Sequence, residues 1–399
     1  MNNTQLTARS QTHLQRLCAD LPHRGVGSAY NRQATNYFAG VLQDLGWQPR
    51  TPQFACIDWN HGEASLRSAG QAFPADPNPY SLGCDLRALL VTADSLDALR
   101  QLDLDGKIVL LRGELTQAQL APKDYPFYTV EEHAEIIRLL EGGGAAAVIA
   151  ATGRDPQMVG NLYPFPFTED GNFNVPSVFI KDVDGERLAG HAGEEIKLSI
   201  PAERLPSSGV NVVALKGSSK GRRVVCAHID SKLGTPGAND NASGTVVLLL
   251  LAELLQAYPG QTGIELVAIN GEDHYSAAGE LLYLGENQGQ MDGISLAINL
   301  DDVGYFKGKN AYSFYGCPDE LAEQVRRTFA AHPDLVEGEQ WYQSDHMVFV
   351  QSGVPAMAVT SDHFVEMMET ITHTPQDTIE KVDPERLARL ALALRDLLS

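Results

Sequence analysis

The chain has 399 residues, of which 43% are hydrophobic and 20% are charged, and its net charge at pH 7 is −21. This length exceeds what one ordinary hydrophobic core accommodates, so two domains are expected. The charge argues against nucleic acid or an anionic membrane as a partner, because both would repel an acidic surface.

No segment of the sequence indicates a membrane anchor or a secretion signal. The longest apolar run, residues 245–252, is too short to span a bilayer, and residues 1–17 lack the apolar core of a signal peptide. Five cysteines, an odd number without a CxxC pair, indicate thiols in a reducing compartment rather than a disulfide framework. These features predict a cytoplasmic protein.

The first predicted elements are two amphipathic helices. Apolar residues recur at helical spacing in residues 14–21 and again in residues 31–45, and Gly46 is a helix stop signal. Residues 56–204 then change character: short apolar strands surround a helix at 129–141. This segment is predicted to be a compact β-rich module with its own core.

From residue 205 onward, strands and helices alternate. The predicted strands lie at 224–230, 264–270, 296–300 and 356–360, and the predicted helices at 243–258, 318–331 and 384–398. Ser243 is the predicted cap of the first of these helices. Such alternation predicts an α/β fold with a mixed, mostly parallel sheet flanked by helices. Residues 1–55 and 205–399 would form this discontinuous domain, with 56–204 inserted.

The second half of the chain contains five potential metal ligands, and each follows an apolar, strand-like run. They are His228, Asp240, Asp273, Asp301 and His373. Strand ends in an open α/β sheet present side chains to a crevice. Two imidazoles and three carboxylates are suitable ligands for a pair of zinc ions. The sequence therefore predicts a two-metal hydrolase.

Two further acids stand beside these candidate ligands. Glu272 directly precedes Asp273 and could act as a general base. Asp230 lies two residues after His228 in an extended segment, so both side chains point the same way and Asp230 can reach one imidazole nitrogen. Each residue by itself is more typical of a solvated loop charge or a turn, and it is the series that favours a function.

Six motifs in the chain resemble, in the same order, those of the co-catalytic zinc aminopeptidase family. They are AHIDS (227–231), PGANDNASG (236–244), NGED (270–273), INLD (298–301), YQSDH (342–346) and HTPQDT (373–378). The family includes bacterial leucyl aminopeptidase, glutamate carboxypeptidase, glutaminyl cyclase and the inactive transferrin receptor. The resemblance implies a metal-dependent exopeptidase, foremost an aminopeptidase, that releases N-terminal residues through a hydroxide held by two metal ions.

The resemblance also implies a role for each ligand. Asp240 would bridge both ions, with His228 and Asp301 completing one site and Asp273 and His373 the other. Relatives commonly have two glutamates where this chain has a glutamate followed by an aspartate. The cofactors implied are two Zn²⁺ ions, and because aspartate is shorter by one methylene, Co²⁺ or Mn²⁺ is possible in that site.

The catalytic roles are implied in the same way. Glu272 matches the general base, Asp230 matches the residue that orients His228, and Tyr342 resembles the phenol that steadies the oxyanion in some relatives. The peptide bond that follows the bridging aspartate is cis in relatives, so a cis Asp240–Asn241 bond is expected.

The inserted segment resembles a protease-associated domain through DGKIVLLRG (105–113), GGGAAAVIAA (142–151) and VPSVFI (175–180). A nucleotide-binding interpretation of its three consecutive glycines fails, because they follow a helix and precede a strand, the reverse of the dinucleotide motif. The segment would shape or cover the site, or serve only as a folding module.

Several alternatives to the aminopeptidase remain open. A C-terminal exopeptidase of the glutamate carboxypeptidase type would need arginines facing the site, and the motif segments offer mainly Lys232. A glutaminyl cyclase would be a one-zinc transferase, normally without the insertion, and an inactive binding protein would have lost ligands that this chain keeps. The expected partner is a peptide with a free N-terminus, and a homo-oligomer is possible.

Overall fold

The computed structural model describes residues 2–153, 164–260 and 262–399. The chain forms two compact units, a discontinuous unit of Met1–Cys56 and Ser208–Ser399 and an inserted unit of Ile57–Ser207. The sequence places the insertion at 56–204. The chain crosses between the units along two strands that pair with each other as a two-stranded sheet, β1 and β10 in the numbering that follows.

The helices, in chain order, are α1 (Asn3–Leu14), α2 (Ala29–Asp44), α3 (Leu96–Gln101), α4 (Glu131–Gly142), α5 (Asp182–Ala189), α6 (Gly244–Leu254), α7 (Ala278–Glu286), α8 (Asp319–Phe329), α9 (His346–Gln351), α10 (Phe364–Thr370) and α11 (Pro384–Leu398). The strands are β1 (Gln53–His61), β2 (Ser65–Ser68), β3 (Gln71–Phe73), β4 (Asp76–Pro77), β5 (Cys84–Ala93), β6 (Ile108–Leu111), β7 (Ala147–Thr152), β8 (Ser177–Lys181), β9 (Glu195–Ile200), β10 (Ala202–Val210), β11 (Val212–Lys216), β12 (Arg222–His228), β13 (Ile264–Ile269), β14 (Ile294–Leu300), β15 (Asn310–Tyr315), β16 (Leu335–Glu337) and β17 (Ala356–Ser361).

The discontinuous unit is built on a seven-stranded sheet in the order β11-β13-β12-β14-β17-β15-β16. The central strands β13, β12, β14 and β17 are parallel neighbours, whereas β11 and β15 pair antiparallel with β13 and β17. The predicted α/β fold with a mixed sheet is thus confirmed. The carboxyl ends of the four parallel strands lie at one edge of this sheet, where side chains that follow them can meet.

Helix α6 carries the centre of this unit's core. Its sequence, GTVVLLLLAEL, is apolar on nearly every face, and its residues from Gly244 to Ala252 are buried. A helix that is apolar all round must be enclosed by other elements. Accordingly, α6 contacts β12, β13 and β14 as well as α1 and α11. This packing fixes the segment immediately before α6, which contains Asp240.

The inserted unit has an eight-stranded sheet in the order β3-β2-β9-β5-β6-β7-β8-β4. Its strands β5 to β8 are parallel neighbours. Alternate residues of β6 and β7 point to opposite faces, so each strand contributes to two hydrophobic clusters, one on each side of the sheet. The unit therefore has its own core, and its description as a protease-associated domain stays a prediction.

Among the helices that the structure describes, none combines the length and the apolar character needed to cross a bilayer.

The start of α6 differs from the prediction. Ser243 has helical backbone angles, and its hydroxyl donates to the carbonyl of Asn239 at 2.7 Å rather than capping the helix. The side-chain oxygen of Asn241 accepts from Gly244 N at 2.9 Å and supplies the cap. The prediction was wrong because the segment Ala238–Ser243, which has non-helical backbone angles at Asp240 and Asn241, turns sharply before the helix and moves the capping position.

We expect Leu250→Ala in α6 to lower the free energy of unfolding by about 2–5 kcal/mol, because it leaves a cavity at a fully buried position. Urea unfolding followed by circular dichroism measures this change. Leu281→Ala in α7, where the side chain is 44% exposed, is the control and should change stability by no more than about 0.5 kcal/mol. Equal effects of the two substitutions would contradict the buried position of α6.

Candidate metal centre

The candidate ligands gather at the carboxyl edge of the parallel strands. His228 is the last residue of β12, and Asp301 directly follows β14. His228 pairs in register with Ile269, the last residue of β13, which brings the loop that contains Asp273 beside it. The topology of the sheet therefore explains why residues that are far apart in sequence meet here.

The five side chains form two groups that share one carboxylate. In the first group, His228 Nε2 lies 3.1 Å from Asp240 Oδ1 and 3.3 Å from Asp301 Oδ1. In the second, His373 Nε2 lies 3.0 Å from Asp240 Oδ2 and 2.9 Å from Asp273 Oδ1. Asp240 therefore offers one oxygen to each group, as expected of a carboxylate that bridges two ions.

The donor atoms fit zinc in chemistry and in spacing. Zn²⁺ takes imidazole nitrogens and carboxylate oxygens at roughly 2.0–2.2 Å in tetrahedral sites, which places neighbouring donors roughly 3.3 Å apart. The buried atoms His228 Nε2, Asp301 Oδ1 and Asp273 Oδ2 have no hydrogen-bond partner in the structure. Buried polar atoms without partners are costly, and a metal ion would satisfy them.

Burial and charge act in opposite directions on both imidazoles. Burial alone would lower the pKa of His228, but the nearby carboxylates of Asp301, Asp230 and Asp240 raise that pKa well above its ordinary value. The pKa of His373 is raised in the same way, against burial, by Asp273 and Asp240. The site thus has a strong demand for positive charge, which a proton or a metal cation can meet.

Asp230 connects two of the ligand-bearing segments. It is buried, and its carboxylate accepts hydrogen bonds from Gly271 N at 2.7 Å and Asp273 N at 3.2 Å. Its Oδ1 also lies 3.6 Å from His228 Nδ1, beyond ordinary hydrogen-bond length. Asp230 therefore fixes the backbone of the Glu272–Asp273 loop, and its role in orienting His228 stays a prediction.

Glu272 lies within the same cluster and is half-buried. One of its carboxylate oxygens lies within 4.8 Å of donor atoms of His228 and Asp273. Burial raises the pKa of Glu272 well above its ordinary value; His228 opposes this shift, and Asp273 and other acids reinforce it. A carboxyl group with a raised pKa can take up and release a proton near neutral pH.

The Asp240–Asn241 peptide bond is cis, which confirms the expectation from the resemblance. Asn241 Nδ2 donates to the carbonyl of Leu300 at 2.7 Å, and Leu300 directly precedes Asp301. The segment with the shared carboxylate is therefore tied to the end of β14.

Tyr342 is not among the residues that the structure brings together. Its side chain is 63% exposed, and its hydroxyl donates to Gln340 Oε1 at 2.9 Å. Its assignment to the oxyanion therefore stays a prediction.

The sequence reasoning assigned no role at the cluster to four residues that lie beside it. Asp377 accepts hydrogen bonds from Asn239 N at 2.8 Å and Asp240 N at 3.0 Å. Asp377 lies inside the HTPQDT motif (373–378), but no local feature of the sequence indicates this role. Lys232 Nζ donates to the carbonyl of Asp273 at 3.1 Å and lies 3.6 Å from its Oδ1.

The other two are buried acids, Asp345 and Glu280. Among the residues that the structure describes, neither oxygen of Asp345 has a hydrogen-bond partner, and the same is true of Glu280 Oε2. Burial raises the pKa of Asp345 to about 8 despite the opposing effect of His228, and burial together with Asp345 and Glu272 raises that of Glu280. Asp345 lies within the YQSDH motif (342–346), whereas Glu280 lies in α7, a helix that the sequence reasoning did not predict.

Comparison with known proteins gives a family for this arrangement. Residues 211–398 match the model of peptidase family M28. Aminopeptidase YwaD of Bacillus subtilis is 30% identical over 298 residues, which cover 71% of this chain and 60% of YwaD. The chain thus spans about 60% of the length of this curated relative. The probable lipoprotein aminopeptidase LpqL of Mycobacterium tuberculosis is 25% identical over 362 residues, covering 84% of this chain and 68% of LpqL.

The fold has a counterpart of known structure. The zinc aminopeptidase BSAP from Bacillus subtilis superposes with a TM-score of 0.77 at 23% identity, covering 98% of this chain and 93% of BSAP. At this identity the likeness shows the fold. The matched segment 211–398 contains all five candidate ligands and Glu272. The resemblance drawn from the motifs is confirmed, and residues 211–398 match peptidase family M28.

Proposed function

We propose that this protein is a zinc-dependent aminopeptidase that removes residues from the free N-terminus of peptides. The observation that carries the proposal is the position of Asp240, which has one carboxylate oxygen at each of two imidazole-containing groups. Names of relatives support the choice of reaction, because YwaD and LpqL are both described as aminopeptidases.

We propose two ions, one held by His228, Asp240 and Asp301 and the other by Asp240, Asp273 and His373. These are two of the groups whose donor atoms all lie within 4.8 Å of one another. Zinc is the preferred ion for both, and Co²⁺ or Mn²⁺ is an alternative beside Asp273, where the carboxylate is short and Lys232 lies close.

Zinc supplies Lewis acidity when bound, which polarises a peptide carbonyl and makes a water molecule more acidic. Glu272 takes a proton from the attacking water and returns it to the nitrogen of the leaving amine. Asp230 keeps Glu272 in place, because it binds the backbone amides on both sides of that residue, at Gly271 and Asp273.

The finer parts of the proposal concern the inserted unit and the setting of the enzyme. We propose that the inserted unit is a protease-associated domain, supported by its motifs and by its separate hydrophobic clusters. A cytoplasmic location is supported by the odd, scattered cysteines, and a homo-oligomer stays a prediction.

We expect Glu272→Gln to lower kcat by about 10²- to 10⁴-fold while both metal ions stay bound, because the amide cannot accept a proton. Aminoacyl anilide hydrolysis and metal analysis of the same sample give the two values. Glu369→Gln, at an exposed position of α10, is the control and should behave as wild type. Retained turnover in metal-loaded Glu272→Gln would remove Glu272 from the role of the base.

Chelation should abolish hydrolysis, and two equivalents of zinc should restore it. The substrates are aminoacyl anilides and unblocked dipeptides, with N-acetylated forms as the control that should resist cleavage. Full recovery with one equivalent would contradict the two-ion proposal. Release of C-terminal residues, or cyclisation of N-terminal glutamine, would instead establish a carboxypeptidase or a glutaminyl cyclase.

The shared carboxylate predicts an asymmetry between two aspartate variants. Asp240→Asn removes the charge that serves both groups, so zinc bound after dialysis should fall below one equivalent. Asp301→Asn affects only the group with His228 and should retain about one equivalent, held by Asp240, Asp273 and His373. Metal analysis after dialysis against a weak chelator measures both, and equal retention by the two variants would contradict the bridging role of Asp240.

A further inference from the structure

Arg24 is an arginine enclosed in the core of the discontinuous unit. It lies between a π-helical turn at Gln15–Asp20 and helix α2, and its relative exposure is 0%. A buried guanidinium is costly unless its N–H groups find acceptors. No motif in the sequence points to a role for Arg24, so its role has to be inferred from its hydrogen-bond partners.

The guanidinium of Arg24 binds backbone carbonyls of the loop between two candidate ligands. Its Nε donates to the carbonyl of Ile229 at 3.1 Å, and its two terminal nitrogens donate to the carbonyls of Pro236 and Gly237, each at 2.8 Å. Ile229 directly follows His228, and Gly237 precedes Asp240 by three residues. One side chain therefore holds both ends of the loop formed by residues 229–237.

The same side chain anchors this loop to the N-terminal helices. A terminal nitrogen of Arg24 donates to the carbonyl of Leu17 at 2.6 Å, and Arg24 N donates to the hydroxyl of Ser231 at 3.1 Å. Leu17 lies within the π-helical turn, where the helical hydrogen-bond pattern is altered. The loop is thus attached to an element outside the sheet.

The contact at Gly237 is close. Its φ is +58°, and a Cβ built at this position would lie 3.0 Å from Arg24 Nη2 and 2.5 Å from the carbonyl oxygen of Asp240. Glycine tolerates this backbone region at low cost, whereas other residues do not. The arginine and the turn before Asp240 are therefore packed directly against each other.

The segment that begins with Arg24 also reaches the second ligand-bearing loop. Asn31 Nδ2 donates to the carbonyl of Arg24 at 2.9 Å and to Asn270 Oδ1 at 2.8 Å, and Asn270 Nδ2 donates back to Asn31 Oδ1 at 3.0 Å. Asn270 precedes Glu272 by two residues. Arg24 and Asn31 thus connect one N-terminal segment to both loops.

We propose that Arg24 is a positioning residue that holds the 229–237 loop, and with it Asp240, in ligand geometry before metal binds. The inference rests on the proposed function in so far as Asp240 is a metal ligand. A loop that is already ordered loses less conformational entropy on binding, which increases affinity. Residues that orient metal ligands change metal affinity by about 10- to 100-fold when they are replaced.

The test is Arg24→Lys, which keeps the charge but cannot provide the planar set of donors that reaches all the carbonyls. We expect zinc affinity to fall by about 10- to 100-fold, as measured by competition with a chromophoric chelator. At limiting zinc the variant should lose activity, and a raised zinc concentration should recover it with KM unchanged.

Arg222→Lys is the matched control. Arg222 is also a buried arginine, with an exposure of 3%, and it begins β12, the strand that His228 ends. Its partners are Asn287, at 2.6 Å, and Glu265, at 3.2 Å, and neither belongs to the metal cluster. Thermal unfolding of the metal-free proteins should show both variants destabilised, but only Arg24→Lys should have weakened zinc binding.

Wild-type zinc affinity in folded Arg24→Lys, or an equal loss in Arg222→Lys, would overturn the proposal. If Arg24→Lys does not fold, hydrogen exchange in the metal-free wild type decides: the amide of Thr235, which donates to the carbonyl of Lys232 within the 229–237 loop, should be protected together with those of β12. Rapid exchange of the Thr235 amide beside a protected β12 would refute the inference. A wild type that binds no zinc would contradict the proposed function, and the exchange measurement would still test the positioning role.

Discussion

The carboxyl edge of the central sheet concentrates buried acids, and this negative charge is the constraint on which the rest of the site depends. Asp240, Asp273, Asp301 and Asp345 are each at most 9% exposed. Like charges that are withdrawn from water must be neutralised by protons or cations. Accordingly, the surrounding carboxylates raise the pKa values of His228 and His373, and burial together with neighbouring acids raises the pKa of Glu280. The spacing of the imidazole and carboxylate donor atoms fits a divalent metal ion.

The ligand-bearing segments are held by one another. Asp230, which follows β12, binds the backbone of the loop after β13. Asp377, which follows His373, binds the backbone at Asp240, and Asn241 binds the carbonyl that ends β14. No single loop therefore determines its own position. Precision of this kind, in which side chains of one segment fix the backbone of the next, is what catalysis by positioned groups requires.

Much of the central sheet and of the ligand cluster was predictable from sequence, because the signals for both are local. Apolar strands followed by acids or histidines predicted the four central strands and the five clustered side chains, since both signals lie within a few residues of one another. Arg24 carried no such signal, because its acceptors at Ile229 and Gly237 are more than 200 residues away. The cap at Asn241 was missed because it depends on the backbone path through the segment Ala238–Ser243, which the sequence does not indicate. For Tyr342 the motif supplied a role, and the exposed side chain does not join the cluster.

The pairing of β1 with β10 has a consequence for how this architecture can change over time. These strands carry the chain across both boundaries of the inserted unit, and hydrogen-bonded strands lie about 5 Å apart. Because the first and last strands of the inserted unit are neighbours, this unit can be gained, exchanged or deleted by a single genetic event without a change in the topology of the discontinuous unit. The discontinuous unit can in this respect accept different inserted modules while its own seven-stranded sheet stays unchanged.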